Sequence, residues 1–191
     1  MSQYQIAVSG AARGVSVEDG KEMAIAMGAA IAKAGHSLLT GATIGLPNYA
    51  AEGYKAAGGR MSVGLSPAAS KVEHVMKYRL PTEAYDTILY TGLHYIGRDT
   101  LLITSADGVI SIGGRLGTLH EFTIAMESET PIAFLQGAGG VTVTQQAFAG
   151  KVVLMFFGSK GLPGIARTLG RTMRQIRDAS ADVQREIQRG A

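Results

Sequence analysis

The feature that most restricts this chain is an alternation of apolar, strand-like runs with segments of helical spacing. The runs are "YQIAVSG", "HSLLTG", "RMSVGLS", "DTILYTG", "DGVISIGG" and "PIAFLQG". This is the pattern of an α/β domain with a doubly wound, mainly parallel sheet in three layers, because a parallel crossover needs a helix to return the chain. After the first run, Met23, Met27, Ala30, Ile31 and Ala34 recur at helical spacing until Gly35, and Ser16 with Asp19 resembles a capping box. "GLPNYAAEGYKAAGG" reads as a second helix with Pro47 near its first turn. Further helices are expected at residues 93–105 and 116–128. The polar stretch 66–85 carries two prolines and exceeds most connections in length; it reads either as a lid or binding loop or as a surface excursion with a short helix.

A chain of 191 residues suits one domain with a short appendage. It has no cysteine, so neither a disulfide framework nor a thiolate metal site is available, and the composition fits a cytoplasmic protein. The opening "MSQYQIAVSG" does not read as a secretory signal, and no uncharged apolar run reaches the ~18 residues of a membrane span. Residues 159–191 hold seven basic and three acidic side chains, a net +4 that leaves the remainder of this +3 chain near −1. The pI of 9.2 therefore describes a tail, and a basic nucleic-acid-binding core is not expected.

Glycine at 26 positions is about twice average usage. Three strand ends run into glycine-rich turns that open helices: "SGAARGVS", "TGATIGLP" and "IGGRLGT". Such turns let a backbone approach a ligand, and the N–H groups of the following helix favour a phosphate; the same glycines can instead serve close packing. In an open parallel sheet these ends share one edge, where ligands bind. Gly10 and Gly14 lack the G-x-G-x-x-G spacing, and Thr40-Gly41 ends the second strand without an acid for a ribose hydroxyl, which disfavours a redox dinucleotide. No G-K-[ST] follows a glycine cluster, and His36, His74, His94 and His120 are scattered, so no P-loop, metal or cofactor is expected.

The segments "TGATIGLPNYAAEGYKAAGGRMSVGLSP", "YTGLHYIGRDTLLITSADGVISIGGRLGTLHEF" and "PIAFLQGAGG" resemble the LOG-type (Lonely Guy) branch of Rossmann-like nucleotide-binding proteins, over about residues 4–140. That resemblance implies a Rossmann-like domain across residues 1–158, a homodimer, and a nucleoside 5′-monophosphate as partner. In the family a PGGxGTxxE motif binds phosphate and ribose, and its glutamate acts with a helix arginine in cleaving the N-glycosidic bond. Carried over, Gly113, Gly114, Gly117 and Thr118 fall on the phosphate turn, Glu121 on the glutamate and Arg98 on the arginine. Arg98 stands nine residues before Asp107, as in the family's helix-strand unit. Ile112 replaces the motif proline, and Arg115-Leu116 lengthens the turn by one residue.

Independent chemistry points the same way. Hydrolysis of a base from ribose 5-phosphate passes through an oxocarbenium-like state, which a carboxylate such as Glu121 can stabilise or supply with activated water. Arg98 can clamp phosphate or ribose, Arg115 can add a second cation, and Gly10, Gly41 and Gly45 bring the other two turns to the ligand. The alternative for Glu121 is structural: a first-turn acid complements the helix dipole and pairs with Arg98.

Beyond Gly140 the pattern changes. Residues 151–157 read as a final strand, and residues 159–191 as a basic amphipathic helix, with Ile165, Leu169, Met173, Ile176, Val183 and Ile187 on one stripe and Arg167, Arg171, Arg174, Arg185 and Arg189 near the opposite face. "FFGSKGLPGIARTLGRTMRQIRDA" resembles the hinge and amphipathic helix of TatA/B-type twin-arginine translocase subunits, which implies a peripheral anionic membrane surface as partner. Three functions are thus expected: a nucleoside 5′-monophosphate hydrolase, a non-catalytic nucleotide or cofactor carrier, or a membrane-associated translocase-like component.

Overall fold

The computed structural model describes residues 3–139 and 152–156. Seven parallel strands, β1 (Gln5–Gly10), β2 (Ser37–Thr40), β3 (Ser62–Ser66), β4 (Thr87–Tyr90), β5 (Gly108–Ile112), β6 (Ile132–Gln136) and β7 (Val152–Phe156), form one sheet in the order β4-β3-β2-β1-β5-β6-β7. Among the described residues, four helices, α1 (Val15–Lys33), α2 (Leu46–Ala56), α3 (His94–Thr104) and α4 (Leu116–Glu127), make the crossovers β1 to β2, β2 to β3, β4 to β5 and β5 to β6. Within the described residues, every expected strand and helix is present within a few residues of its expected ends. The expected amphipathic helix of residues 159–191 lies outside the described residues.

Alternation along the strands builds two cores. Ile6 and Val8 of β1, Leu38 of β2, Ile110 and Ile112 of β5 and Ala133 and Leu135 of β6 pack with Ala24, Met27, Ile31, Ala50 and Tyr54 from α1 and α2. The intervening residues Ala7, Leu39, Val109, Ile132 and Phe134 face Leu102, Ile103, Phe122 and Ala125 from α3 and α4. A sheet buried on both faces needs such near-continuous apolar strands. Ser9 and Ser111, paired in register between β1 and β5, interrupt them on the α3/α4 side.

One local expectation is corrected. The capping box at Ser16 and Asp19 does not form: α1 starts two residues earlier than that box requires, with Gly14 at its N-cap and no side-chain cap. Of the two readings of the stretch 66–85, the surface excursion with a short helix is the one present. Its π-helical turn, Glu73–Lys77, is held by fully buried His74, whose ring nitrogens bond Ser66 Oγ at 2.8 Å and Pro81 O at 3.0 Å. Leu80, Ala84 and Tyr85 are buried beside it.

Candidate functional site

The strand order reverses between β1 and β5, so the connections leaving their carboxyl ends diverge and open a crevice. A cleft of about 290 Å³ occupies that place. It is lined by Gly10, Ala11, Ala12 and Arg13 after β1, Gly41, Thr43 and Pro47 after β2, Tyr95, Arg98 and Asp99 of α3, and Arg115, Gly117, Thr118 and Glu121 at the start of α4, with Val8 at its floor. Three glycine turns and two helix faces, separated by more than a hundred residues of chain, therefore meet in one space.

Arg98 is 3% exposed and Glu121 8% exposed. Arg98 Nη1 lies 3.4 Å from Asp99 Oδ1 and 3.8 Å from Glu121 Oε1. Ser9 Oγ donates a short hydrogen bond to Glu121 Oε2, and His120 Nδ1 stands 3.1 Å from Asp99 Oδ2. Arg98 Nε, though buried, has no partner. Burial first, and the Asp99 carboxylate second, push the Glu121 pKa up to about 7, against the opposing pulls of Arg98, the Ser9 hydroxyl and His120. A carboxyl so poised exchanges its proton near neutral pH.

Glycine is required where this cluster meets the backbone. A β-carbon on Gly41 would run into the Arg98 guanidinium, so the absence of a side chain after β2 is what seats the arginine. Gly114 holds φ +110, and a β-carbon there would collide with Thr118, which is buried at 4% exposure. Gly113, at φ +56, makes the same turn. Gly113 and Gly114 shape the turn without lining the cleft, and Gly45 caps α2 outside the lining. The remaining expected residues, Gly10, Gly41, Arg98, Arg115, Gly117, Thr118 and Glu121, all line it.

Glu121 is the sixth residue of α4, and the first turn of that helix holds no acid, so the dipole-complementing alternative does not describe it. Sequence reasoning missed Ser9, Arg13, Tyr95 and Asp99. The adjacent "RD" pair at Arg98 and Asp99 was the available signal for the last of these, since a buried arginine needs a nearby counter-charge. His120 side-chain exposure is 39%, and its ring does not line the cleft. Among the described residues, no three His, Asp or Glu side chains are grouped to hold a metal, and no helix is long and apolar enough to cross a membrane.

The SLOG cluster4 family model matches residues 3–156. A model of the mttA/Hcf106 family matches residues 150–186. An uncharacterized protein of Archaeoglobus fulgidus is 31% identical over 136 residues, which span 71% of this chain and 82% of that protein. Among solved structures, the molybdenum cofactor binding protein of the phototrophic bacterium Rippkaea orientalis is similar at 27% identity and TM-score 0.70, over 91% of this chain and 98% of that one. The molybdenum cofactor carrier protein of Chlamydomonas reinhardtii shares the fold at TM-score 0.71 and 24% identity, over 91% and 99% of the two chains.

Proposed function

This chain belongs to the SLOG cluster4 family, and on that premise we propose that it binds a nucleoside 5′-monophosphate in the cleft and hydrolyses it to free base and ribose 5-phosphate. The observation that carries this reading is the poised carboxyl of Glu121, at the foot of a cleft whose mouth holds a phosphate-type glycine turn. Phosphate would sit against Gly117, Thr118 and Arg115, where unpaired helix N–H groups and a cation meet it. That anchor fixes the sugar relative to the acid. Ionised Glu121 takes a proton from water as its oxygen bonds to the anomeric carbon. The electron pair of the carbon–nitrogen bond leaves with the base, which recovers that proton from Glu121. Arg98 holds Glu121 and Asp99 in place, and its free Nε offers one further donor to a sugar or phosphate oxygen.

A second reading, a carrier that holds its ligand without turnover, is favoured by the likeness to molybdenum cofactor binding and carrier proteins. The same phosphate turn suits the phosphate of a pterin cofactor, and in that case the raised pKa of Glu121 keeps an anionic cargo from facing a full negative charge. Chromatographic release of free base from a panel of nucleoside 5′-monophosphates separates the two. Hydrolysis requires release by the wild type and its loss in Glu121→Ala and Arg98→Ala. Ligand that stays bound and intact in all three proteins assigns the carrier role.

A further inference from the structure

The cleft has a single aromatic wall, which the reading above does not use. Tyr95, the second residue of α3, is the one aromatic side chain among its lining residues, and it remains 46% exposed. Its position is set by the connection between β3 and β4. The Tyr95 ring meets Tyr78 edge-on, with centroids 5.6 Å apart and planes at 79°, and Tyr78 Oη shares a hydrogen bond of 2.8 Å with His94 Nδ1. His94, at φ +55, bonds Pro67 O through its own N–H at 3.0 Å. Tyr95 therefore faces the cleft from a braced first turn of α3.

Sheet order separates this wall from the phosphate turn. β5 and β2 flank β1 on opposite sides, so the cleft runs from Arg115, Gly117 and Thr118 after β5, across β1, to Thr43 and Pro47 after β2, with Tyr95 at the far end of α3 from its C-terminal packing. A ligand anchored by phosphate at one end extends toward an end that includes Thr43, Pro47 and Tyr95. The Arg98 guanidinium packs against Gly41 at this end, and Arg98 and Arg13 both act electrostatically on Tyr95, whose ring is the one π-surface the lining offers a heterocycle.

We propose that Tyr95 is a specificity-determining residue, the stacking platform for a planar heterocycle carried by the phosphate-bearing ligand. The inference rests on the phosphate-ligand reading of the same cleft and adds the residue that meets the ligand's ring, whether that ring is a nucleobase or a pterin. Because stacking tolerates any flat ring, Tyr95 selects for a ring and not for one base.

Titration calorimetry on the full chain with three probes, AMP, 6-hydroxymethylpterin phosphate and ring-free ribose 5-phosphate, tests it in wild type, Tyr95→Phe and Tyr95→Ala. The expected result is that at least one ring-bearing probe binds wild type and Tyr95→Phe more tightly than ribose 5-phosphate, and that Tyr95→Ala weakens that probe about tenfold or more while leaving ribose 5-phosphate within twofold. Which ring-bearing probe shows the loss identifies the source. Ribose 5-phosphate retained by Tyr95→Ala also shows that the variant is folded. Equal weakening of all probes, or no preference for a ring in the wild type, overturns the platform. Wild type that binds none of the three overturns the phosphate-ligand reading, and the platform with it.

Discussion

Arg98 Nη1 faces Glu121 Oε1 at 3.8 Å, yet the same nitrogen stands closer, at 3.4 Å, to Asp99 Oδ1. One buried cation thus serves two carboxyl groups, and its stronger claim is on Asp99. Glu121 is left with the weaker share of the guanidinium in a region almost closed to water, which is why burial dominates its titration.

The first consequence concerns rate against pH. With a Glu121 pKa of about 7, ionised Glu121 is the minority form below neutrality. Base release from a nucleoside 5′-monophosphate is expected to rise with pH through about 7 and then level. A flat profile between pH 5 and 9 would remove Glu121 as the proton acceptor.

Stability has the opposite pH trend. Between the ordinary value of 4.5 and about 7, the folded protein keeps a proton that the unfolded chain has released, so this group's contribution to stability falls as pH rises through that window and is level above it. The loss is on the order of 3 kcal/mol. Glu121→Gln cannot ionise. It is expected to be more stable than wild type at pH 8 and to match it more closely at pH 4, measured by urea unfolding. Parallel pH dependence in the two proteins contradicts the assignment.

Gly41→Ala drives a methyl group into the Arg98 guanidinium. Such overpacking is expected to cost about 1–3 kcal/mol and to lower ligand affinity as Arg98→Ala does. In an Arg98→Ala background the same change meets an empty space and costs little, so a double-mutant cycle read by thermal melting shows a coupling of that size. Additive effects mean that Gly41 does not seat the arginine.

Gly28→Ala tests the packing of α1 on α2. Its β-carbon would overlap Ala50 O and approach Tyr54 N at 2.8 Å, both backbone atoms that cannot swing aside. A loss of about 3 kcal/mol is expected. Gly117→Ala, whose β-carbon meets nothing within 4 Å, is the comparison and should leave the melting temperature unchanged or slightly higher.

The basic amphipathic pattern of residues 159–191 predicts that the full chain co-sediments with anionic vesicles and that a chain ending at residue 158 does not. Binding that persists after the deletion, or that never occurs, removes the membrane role of the tail.

Much of this was legible in the sequence because periodicity and punctuation are local properties. Apolar runs spaced by helical segments specify a parallel α/β sheet, since no other arrangement both buries those strands and returns the chain between them. The glycine turns were legible in the same linear pattern, whereas Arg98, Thr118 and Glu121 were singled out by the resemblance to the LOG-type motif. The capping box at Ser16 was a misreading because Gly14, at φ +96, already turns the chain into α1 without a side-chain oxygen. Residues 66–85 left two readings open in the sequence, because polarity along a segment does not show whether its histidine is exposed or, like His74, closed into a hydrogen-bonded core.

By itself, then, the sequence determined the class of fold, the order of its elements and which residues could carry a reaction. Only the tertiary structure decided that Ser9, from the first strand, bonds Glu121 across 112 positions of chain, that Asp99 shares Arg98 with that acid, and that Gly41 makes room for the Arg98 guanidinium. The physical reason is that a pKa, an ion pair and a collision depend on distances of a few ångströms between elements distant in the chain. Those distances are set by the strand order and helix packing, not by any residue's neighbours in sequence.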